Sequence, residues 1–326
     1  MNLKLRGGGL DSAPLVWGDG VYNDVMLSGY LLITALVAAA PVLMAQTPGG
    51  PARPPILGVA HIRLKTNDLA AARNFYGRCL GFQEPFGLDS LVVFKVNDHQ
   101  YIEVEPTLKQ ETEDRLSHIA FETSEARRLR DYLASRGVTV PGAVEPDGDG
   151  NLSFFIKDAD GHMVEFVEYA PGSLHSRNFG KALPPTRISE RMIHVGFTIQ
   201  DRTAADKLYR DILGFRLQWY GGMTDERTDW VSMRVPDGTD WLEYMLNQPH
   251  PSPRTLGVMN HLALGVSSSE QGYKTVVERG MNPTEKPKIG RDGKWQLNLY
   301  DPNYTRAELM EPKPVQPPCC SPILNP

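Results

Sequence analysis

Cysteine and excess positive charge are both scarce in this sequence. The 326 residues include three cysteines, Cys79, Cys319 and Cys320, which are too few for a disulfide framework or a cysteine-rich zinc site. Cys79 lies in an apolar helical pattern and is predicted to be a core residue, whereas the other two lie in a proline-rich tail and suggest no function. A net charge of −5 provides no basic surface for nucleic acid. The composition, 41% hydrophobic and 22% charged, is typical of a globular protein with a sizeable core.

Long apolar runs are also rare, and one lies near the N-terminus. Residues 26–45 contain no charged side chain and precede a linker rich in glycine and proline, a pattern typical of a secretory signal. An apolar run of about 20 residues is also long enough to cross a bilayer as a retained anchor. We therefore expect residues 1–53 to be a signal peptide or anchor plus linker. The protein is then exported to the periplasm or secreted, or is anchored in the membrane.

The rest of the chain repeats one pattern. Residues 56–83 and 189–216 align without a gap on His61 and His194, and a second pair of segments aligns on His118 and His261. The order is A-B-A-B, an internal repeat that defines the architecture before any local structure is considered. We expect a first domain at 54–171, a linker at 172–187, a second domain at 188–312 and a proline-rich tail at 313–326.

Each copy begins with a strand, because apolar residues alternate with period two. In the first copy Ile62 and Leu64 share one face, opposite a histidine. The four histidines placed in this way are His61, His118, His194 and His261. A helix that ends at a glycine follows each strand, and further strand candidates complete a βαβββ module. The apolar face must pack on the helix, so the sequence predicts an α+β fold of four modules in two tandem pairs. Each pair forms a curved half-barrel with its histidines on the concave face.

A glutamate recurs in the last strand of every module. The four are Glu103, Glu165, Glu243 and Glu308, which follow the module histidines by 42, 47, 49 and 47 residues. Alternation places each of them opposite its apolar neighbours, on the same concave face as the histidines. Paired imidazole and carboxylate ligands suit divalent Fe, Mn, Ni, Co or Zn, so we predict two metal sites of two histidines and two glutamates. Adjacent modules or crossed modules could build each site.

The four remaining histidines do not occupy a repeat position. A lone histidine or glutamate on a strand is usually an ordinary surface or core residue. We therefore predict no ligand role for the four that do not repeat, His99, His162, His175 and His250.

The modules resemble those of the vicinal oxygen chelate superfamily, which includes glyoxalase I, extradiol dioxygenases and bleomycin resistance proteins. The resemblance rests on the first-strand histidine, on residues 75–82 (FYGRCLGF), and on the D-x-D-G-x-x-x-E ending that begins at Asp158. It covers residues 56–312, nearly all of the chain after the apolar segment. It implies a metal-dependent enzyme that acts on a small compound with oxygens on adjacent atoms, although a fold does not fix the chemistry.

Two reaction classes within the superfamily compete. In ring-cleaving extradiol dioxygenases the resemblance implies an iron site at His194, His261 and Glu308. That pattern also needs an acid–base His and Tyr in the fourth module, and this chain has Arg291, Asp292 and Asn298 in that region. It needs a further His near the end of the third module, and this chain has Asp240 there. Tyr300, two residues after Asn298, is the alternative candidate for the Tyr. A carboxylate at Glu243 resembles glyoxalase I, in which a metal-bound glutamate moves a proton between adjacent carbons.

We therefore predict a non-redox lyase or isomerase resembling glyoxalase I, with Glu165 and Glu308 as the bases. An extradiol dioxygenase is the first alternative, and a non-catalytic binding or resistance protein is the second.

The two halves differ in their aromatic content. Four of the five tryptophans lie in the second half, and Trp241, which shares a strand face with Glu243, is a candidate substrate contact. Arg306 shares the face of Glu308 and is a candidate to bind an anionic substrate group, as is Arg63 beside His61. We therefore favour the second half as the working site if only one half works. The sequence fixes neither the substrate nor the oligomeric state.

Overall fold

The computed structural model describes residues 51–88, 91–248 and 250–324. The apolar segment at 26–45, which is the basis of the export prediction, lies outside these residues. Among the helices within the described ranges, none is both long and apolar enough to cross a bilayer. The described residues all lie in one compact unit.

The first half folds as two consecutive βαβββ modules. Helix α1 begins after Asp68, whose side chain accepts a hydrogen bond from Ala71 N, a usual N-terminal cap. The elements are β1 (Gly58–Lys65), α1 (Leu69–Ala72) continued by a π-helical segment (Arg73–Cys79), β2 (Gly87–Leu88), β3 (Leu91–Lys95), β4 (Tyr101–Glu105), β5 (Leu116–Glu122), α2 (Ala126–Ser135), β6 (Glu145–Pro146), β7 (Leu152–Lys157) and β8 (Met163–Glu168).

A short helix, α3 (Leu174–Arg177), lies in the connection to the second half. The second half then repeats the order of the first, with an added helix, α5 (Pro253–Met259), between its two modules and with Asp201 capping its first helix as Asp68 does. Its elements are β9 (Met192–Thr198), α4 (Arg202–Ala205) continued by a π-helical segment (Asp206–Ile212), β10 (Arg216–Gly221), β11 (Trp230–Arg234), β12 (Trp241–Met245), α5 (Pro253–Met259), β13 (His261–Gly265), α6 (Ser269–Glu278), β14 (Lys288–Ile289), β15 (Trp295–Tyr300) and β16 (Arg306–Met310).

Each half forms one curled eight-stranded sheet. The order is β2-β3-β4-β1-β5-β8-β7-β6 in the first sheet and β10-β11-β12-β9-β13-β16-β15-β14 in the second. The first strands of adjacent modules, β1 and β5 or β9 and β13, pair antiparallel at the centre. The predicted fold class is therefore confirmed, and adjacent modules build each sheet.

The convex face of each sheet packs against its helices. Ile62 and Leu64 are buried on this face, as the alternation predicts, and Cys79 is buried as predicted. The helix of every module ends at a glycine with φ between +80° and +84°, namely Gly81, Gly137, Gly214 and Gly280. A side chain is strained in this left-handed conformation, so glycine is the residue that allows the chain to turn back toward the sheet.

Two equivalent hydrogen bonds join the halves. The Tyr76 hydroxyl, after α1, donates to Asp301 Oδ2 at 3.0 Å, and the Tyr209 hydroxyl, after α4, donates to Asp158 Oδ2 at 3.1 Å. Both tyrosines are fully buried. The repeated tyrosine of the helix and the repeated aspartate of the last turn thus form the domain interface.

The proline-rich tail folds back along the second half. Leu324 N donates to Gln218 O at 2.7 Å, and Cys319 N donates to Arg291 O at 2.8 Å. Cys319 and Cys320 form a disulfide between neighbouring residues. The tail therefore lies beside the opening of the second half-barrel.

Candidate metal centres

Two groups of four side chains lie on the concave faces of the two sheets. The N-terminal centre consists of His61, Glu103, His118 and Glu165, and the C-terminal centre consists of His194, Glu243, His261 and Glu308. Seven of these residues are buried, and Glu243 exposes 12% of its side chain. The structure thus brings all eight predicted ligands together in two sets, each supplied by adjacent modules.

The strand register explains why the four side chains of the C-terminal centre converge. Gly196 of β9 lies opposite both Glu243 of β12 and His261 of β13. A Cβ at Gly196 would lie 2.3 Å from the His261 ring, so the absence of a side chain leaves room for the imidazole. The equivalent position in the first half is Arg63, which lies opposite Glu103 and His118.

The ligand atoms of the C-terminal centre are close to one another. His194 Nε2 and His261 Nε2 are 3.0 Å apart. Glu243 Oε2 lies 3.3 Å from His261 Nε2 and 3.8 Å from His194 Nε2, while Glu308 Oε2 lies 3.7 Å from His194 Nε2. His261 Nδ1 lies 2.7 Å from Met259 O, an arrangement that protonates Nδ1 and directs the Nε2 lone pair at the centre.

The N-terminal centre is more compact. His61 Nε2 lies 3.0 Å from His118 Nε2, and Glu165 Oε2 lies 3.1 Å and 3.0 Å from these two nitrogens. Glu103 Oε2 lies 3.6 Å from His61 Nε2 and also accepts a hydrogen bond from Arg63 Nε at 2.7 Å. Arg63 therefore partly neutralises one carboxylate of this centre.

Both sets fit a divalent metal. Two nitrogen ligands about 2.1 Å from one ion, at about a right angle, are about 3.0 Å apart. Both histidine pairs have this separation. Among the described residues, Glu103 Oε1 is buried without a hydrogen-bond partner, as expected of a carboxylate oxygen that is available to an ion. The metal-binding prediction agrees with this geometry.

The two centres differ in their protonation in the metal-free protein. Burial lowers the pKa of His194 and of His261 well below the ordinary value, so both rings are neutral, which is the form that binds metal. Burial raises the pKa of Glu308 to about 7. In the N-terminal centre burial would raise the pKa of Glu165, but hydrogen bonds and charge from His118 and His61 hold that pKa well below its usual range.

A cavity of about 300 Å³ opens beside each centre. The C-terminal cavity is lined by four cationic residues, Lys288, Arg291, Lys294 and Arg306, as well as Glu308, Glu243 and Asp292. Arg63 is the one lysine or arginine lining the described N-terminal cavity, which also contains Glu105, Asp147, Asp149 and Glu165. The C-terminal cavity is therefore suited to an anion and the N-terminal cavity is not.

The three predicted substrate contacts lie at the cavities. Arg306 and Trp241 line the C-terminal cavity, and Arg63 lines the N-terminal cavity. The Trp241 ring lies 4.8 Å from the His194 ring, so it packs on a ligand as well as facing the cavity. Lys294 Nζ lies 5.0 Å from the centre of the Trp241 ring.

Asp240 and Tyr300 lie near positions where the extradiol pattern has acid–base residues, and both bind other side chains outside the C-terminal cavity. Asp240 binds Arg191 and accepts hydrogen bonds from Val59 N and Gln100 Nε2, so it belongs to the interface between the halves. The Tyr300 hydroxyl donates to Glu285 Oε1 at 2.6 Å and is not part of the C-terminal cavity lining.

Sequence reasoning missed two cavity residues, Lys294 and His175. Lys294 corresponds to Asn151 when the halves are superposed on His118 and His261, so the repeat alignment contained the signal for this cation. His175 lies in α3, outside the repeat, and no sequence pattern marked it. It is nevertheless buried in the lining of the N-terminal cavity.

Comparisons with known proteins identify related chains. An iron-dependent extradiol dioxygenase of Rhodococcus jostii (strain RHA1) is 26% identical over 239 residues, which are 66% of this chain and 74% of that protein. A structure of homoprotocatechuate 2,3-dioxygenase from Brevibacterium fuscum matches with a TM-score of 0.60 at 20% identity, covering 81% of this chain and 73% of that one. A Mn(II)-bound glyoxalase from Novosphingobium aromaticivorans matches with a TM-score of 0.61 at 16% identity, covering 79% and 83%.

The family assignment rests on a family model that matches each half of the chain. The family model of the glyoxalase, bleomycin resistance protein and dioxygenase superfamily matches twice, at residues 58–166 and 191–309. These two ranges coincide with the two sheets and together include all eight residues of the metal centres. The chain therefore belongs to the Glyoxalase/Bleomycin resistance protein/Dioxygenase superfamily, with two copies of the domain in tandem.

Proposed function

We propose that this protein is a metal-dependent lyase or isomerase that acts, at its C-terminal centre, on a small anionic compound with oxygens on adjacent atoms. The observation that supports it best is the set of four ligands beside a cationic cavity. Two carboxylates, Glu243 and Glu308, lie within 4.0 Å of a histidine nitrogen. The described residues lining that cavity include no tyrosine and no histidine.

The chain's own residues divide the work at this centre. A bound divalent metal would supply a Lewis acid that polarises a substrate oxygen. Glu308 would accept a proton from the substrate carbon and return it to the neighbouring carbon, as a general base and then a general acid. Arg306 and Lys294 would hold the anionic group, because charge-assisted hydrogen bonds fix both position and sign.

Extradiol ring cleavage is the second candidate. It is favoured by the similarity to the Rhodococcus jostii dioxygenase. His194, His261 and Glu308 would then hold the iron. Against it, Asp240 and Tyr300, which lie near two of the positions that would supply acid–base groups, are bound to other residues outside the cavity.

The test compares the two chemistries on the same preparation. Metal-stripped protein is loaded without oxygen with Zn, Ni, Co, Mn or Fe and offered small 2-hydroxycarbonyl compounds in D2O. We expect deuterium exchange at the carbon next to the carbonyl with Zn or Ni, lost by at least about 100-fold in Glu308→Gln, as is typical for removal of a general base. Metal analysis of the variant shows whether the ion is still bound.

Two results would count against the proposal. A yellow, oxygen-dependent ring-fission product from catechols, obtained with Fe or Mn alone, would favour the dioxygenase. Tight binding of small anions without turnover of either substrate class would favour a binding or resistance protein.

We also propose that the protein is exported. The apolar segment at 26–45, followed by a linker rich in glycine and proline, supports this. Cell fractionation with N-terminal sequencing of the mature chain tests it. Full-length protein in the cytosol would contradict it.

A further inference from the structure

A second group of ligating atoms lies beside the N-terminal centre. It consists of Glu103, Asp149 and His175, each of which offers one ligand atom, and these atoms all lie within 4.8 Å of one another. Glu103 is fully buried, His175 is 2% exposed and Asp149 is 8% exposed. Carboxylates and imidazoles that are withdrawn from water need a counter-charge or a hydrogen-bond partner.

Two of these side chains each have one polar atom that lacks such a partner. Within the described part of the chain, Glu103 Oε1 and His175 Nε2 are buried and accept or donate no hydrogen bond. Arg63, the one cationic side chain of the described cavity lining, is already bound to the other oxygen of Glu103. Asp147 and Glu105 add further negative charge to the same cavity. The group therefore has an uncompensated negative charge and a free nitrogen.

The corresponding residues of the second half include a lysine that neutralises the aspartate. Asp149 corresponds to Asp292 and Asn151 corresponds to Lys294, because the two residues of each correspondence are 143 positions apart. His118 and His261 have the same separation. In the second half Lys294 Nζ lies 3.6 Å from Asp292 Oδ2 and supplies the positive charge. In the first half the lysine is replaced by the neutral Asn151, so the carboxylate lacks that counter-ion.

Asn151 instead orients the added histidine. Its Nδ2 lies 2.8 Å from His175 Nδ1, Asp149 Oδ2 lies 3.7 Å from the same nitrogen, and Asn151 Oδ1 has no partner among the described residues. Rotation of the amide by 180° would place Oδ1 against Nδ1, so that the ring would donate from Nδ1 and leave the Nε2 lone pair free. This is the usual way in which a neighbouring group prepares a histidine to bind a metal.

We propose that Glu103, Asp149 and His175 bind a second divalent cation next to the one at His61, His118 and Glu165. Glu103 is shared by both groups and is the bridging carboxylate. Nitrogen and carboxylate ligands of this kind suit Mn, Fe, Co or Zn. The N-terminal half then holds a two-metal site, whereas the C-terminal half holds one metal and an ammonium group.

The experiment counts Mn(II) bound to the metal-stripped full chain and records its electron paramagnetic resonance spectrum. Ions in two-metal sites are about 3.5–4 Å apart, close enough for their spins to couple. We expect the wild-type protein to show a coupled Mn(II) pair. Asp149→Asn and His175→Ala should each bind one Mn(II) fewer per chain and lose the coupled signal. Asp149→Asn changes the shape least, so it remains informative if His175→Ala is unstable.

Matched variants serve as controls. Asp292→Asn changes the corresponding aspartate of the second half, and His99→Ala removes an exposed histidine; both should keep the wild-type Mn(II) count and the coupled signal. An unchanged count in folded Asp149→Asn and His175→Ala, or a wild-type spectrum without coupling, would overturn the proposal. Glu308→Gln should leave the coupled signal intact, so this result is read separately from the proposed reaction at the C-terminal centre.

Discussion

Position 63 in the first half and position 196 in the second half correspond, because each lies two residues after the first-strand histidine. Arg63 contributes a guanidinium that binds Glu103, while Gly196 contributes no side chain and lets the His261 ring approach the strand. This difference gives the N-terminal centre an arginine–glutamate ion pair that the C-terminal centre lacks. The two centres thus have the same four types of ligand in different electrostatic environments.

Replacing one ligand of the C-terminal centre should remove one metal without unfolding the protein. His261→Ala and Glu308→Ala act on side chains that face the metal centre on the concave side of the sheet and not the helix-packed core. Changes to residues that only support a ligand typically cost 10–100-fold in affinity, so loss of a ligand itself should cost at least about as much. Metal analysis after dialysis, with circular dichroism for the fold, provides the measurement.

His99→Ala is the matched control for these variants, because its ring is exposed and lies outside both centres. It should keep all of the metal. Full metal retention in His261→Ala and Glu308→Ala would show that these residues are not ligands, and global unfolding would show that they are structural.

At the scale of elements, the last turn before β8 and the last turn before β16 are equivalent but carry different charges. Asp158 and Asp301 occupy the same position and accept hydrogen bonds from Tyr209 and Tyr76. His162 lies 2.9 Å from Asp158 Oδ2, whereas the corresponding residue in the second half is the uncharged Thr305. The two buried carboxylates should therefore respond to pH in opposite directions.

Burial raises the pKa of Asp301 from 3.8 to about 6. Between pH of about 4 and 6 the folded protein keeps a proton that the unfolded chain has lost, so the stability contributed by this group falls as the pH rises. The difference is worth up to about 3 kcal/mol, at 1.36 kcal/mol per pKa unit. Urea unfolding of wild type and Asp301→Asn at pH 4, 5 and 6 measures it, and the variant should lack this fall.

Asp158→Asn is the control with the opposite sign. Burial would raise the pKa of Asp158, but the hydrogen bond and charge of His162 lower it. The stability contributed by Asp158 is therefore present above pH of about 4 and is lost as the pH falls below it. Equal pH dependence in the two variants would contradict this assignment.

At the scale of the whole molecule, the two halves are predicted to unfold together. Each half donates a buried tyrosine to the other, and Gln100 of the first half bonds to Met192 at both its amide nitrogen and its amide oxygen. Breaking one half exposes these buried polar groups in the other, at about 1–3 kcal/mol each. Such coupling favours one cooperative transition over two separate ones.

Tryptophan fluorescence and circular dichroism can test this coupling. Trp219, Trp230, Trp241 and Trp295 all lie in the second half, and the fifth tryptophan, Trp17, precedes both halves. In a Trp17→Phe background, fluorescence therefore reports the second half alone, while circular dichroism reports both. We expect coincident urea transitions. Tyr76→Phe, a change in the first half, should also shift the fluorescence midpoint to lower urea. Two separated transitions, or a fluorescence midpoint that ignores this variant, would show that the halves are independent.

Much of the fold was predictable from the sequence, because its signals are local. The period-two alternation around His61 and the glycines after each helix depend on residues close in the chain, and the repeat showed the same pattern four times. The fold class and the superfamily were confirmed for this reason. The recurrence also named the eight candidate ligands, because a histidine or glutamate that recurs at one register position of a strand must point to the same face.

Only the tertiary structure decided which modules pair and what surrounds each centre. Both pairings satisfy the same alternation, so the choice depends on hydrogen bonds between strands that are distant in sequence, such as β1 with β5. His175 reaches the N-terminal cavity from a helix outside the repeat, and the tail reaches the C-terminal half from the end of the chain. The charges of the two cavities are sums over residues brought together from separate strands and turns, and such sums are fixed by packing in three dimensions and not by the order of residues along the chain.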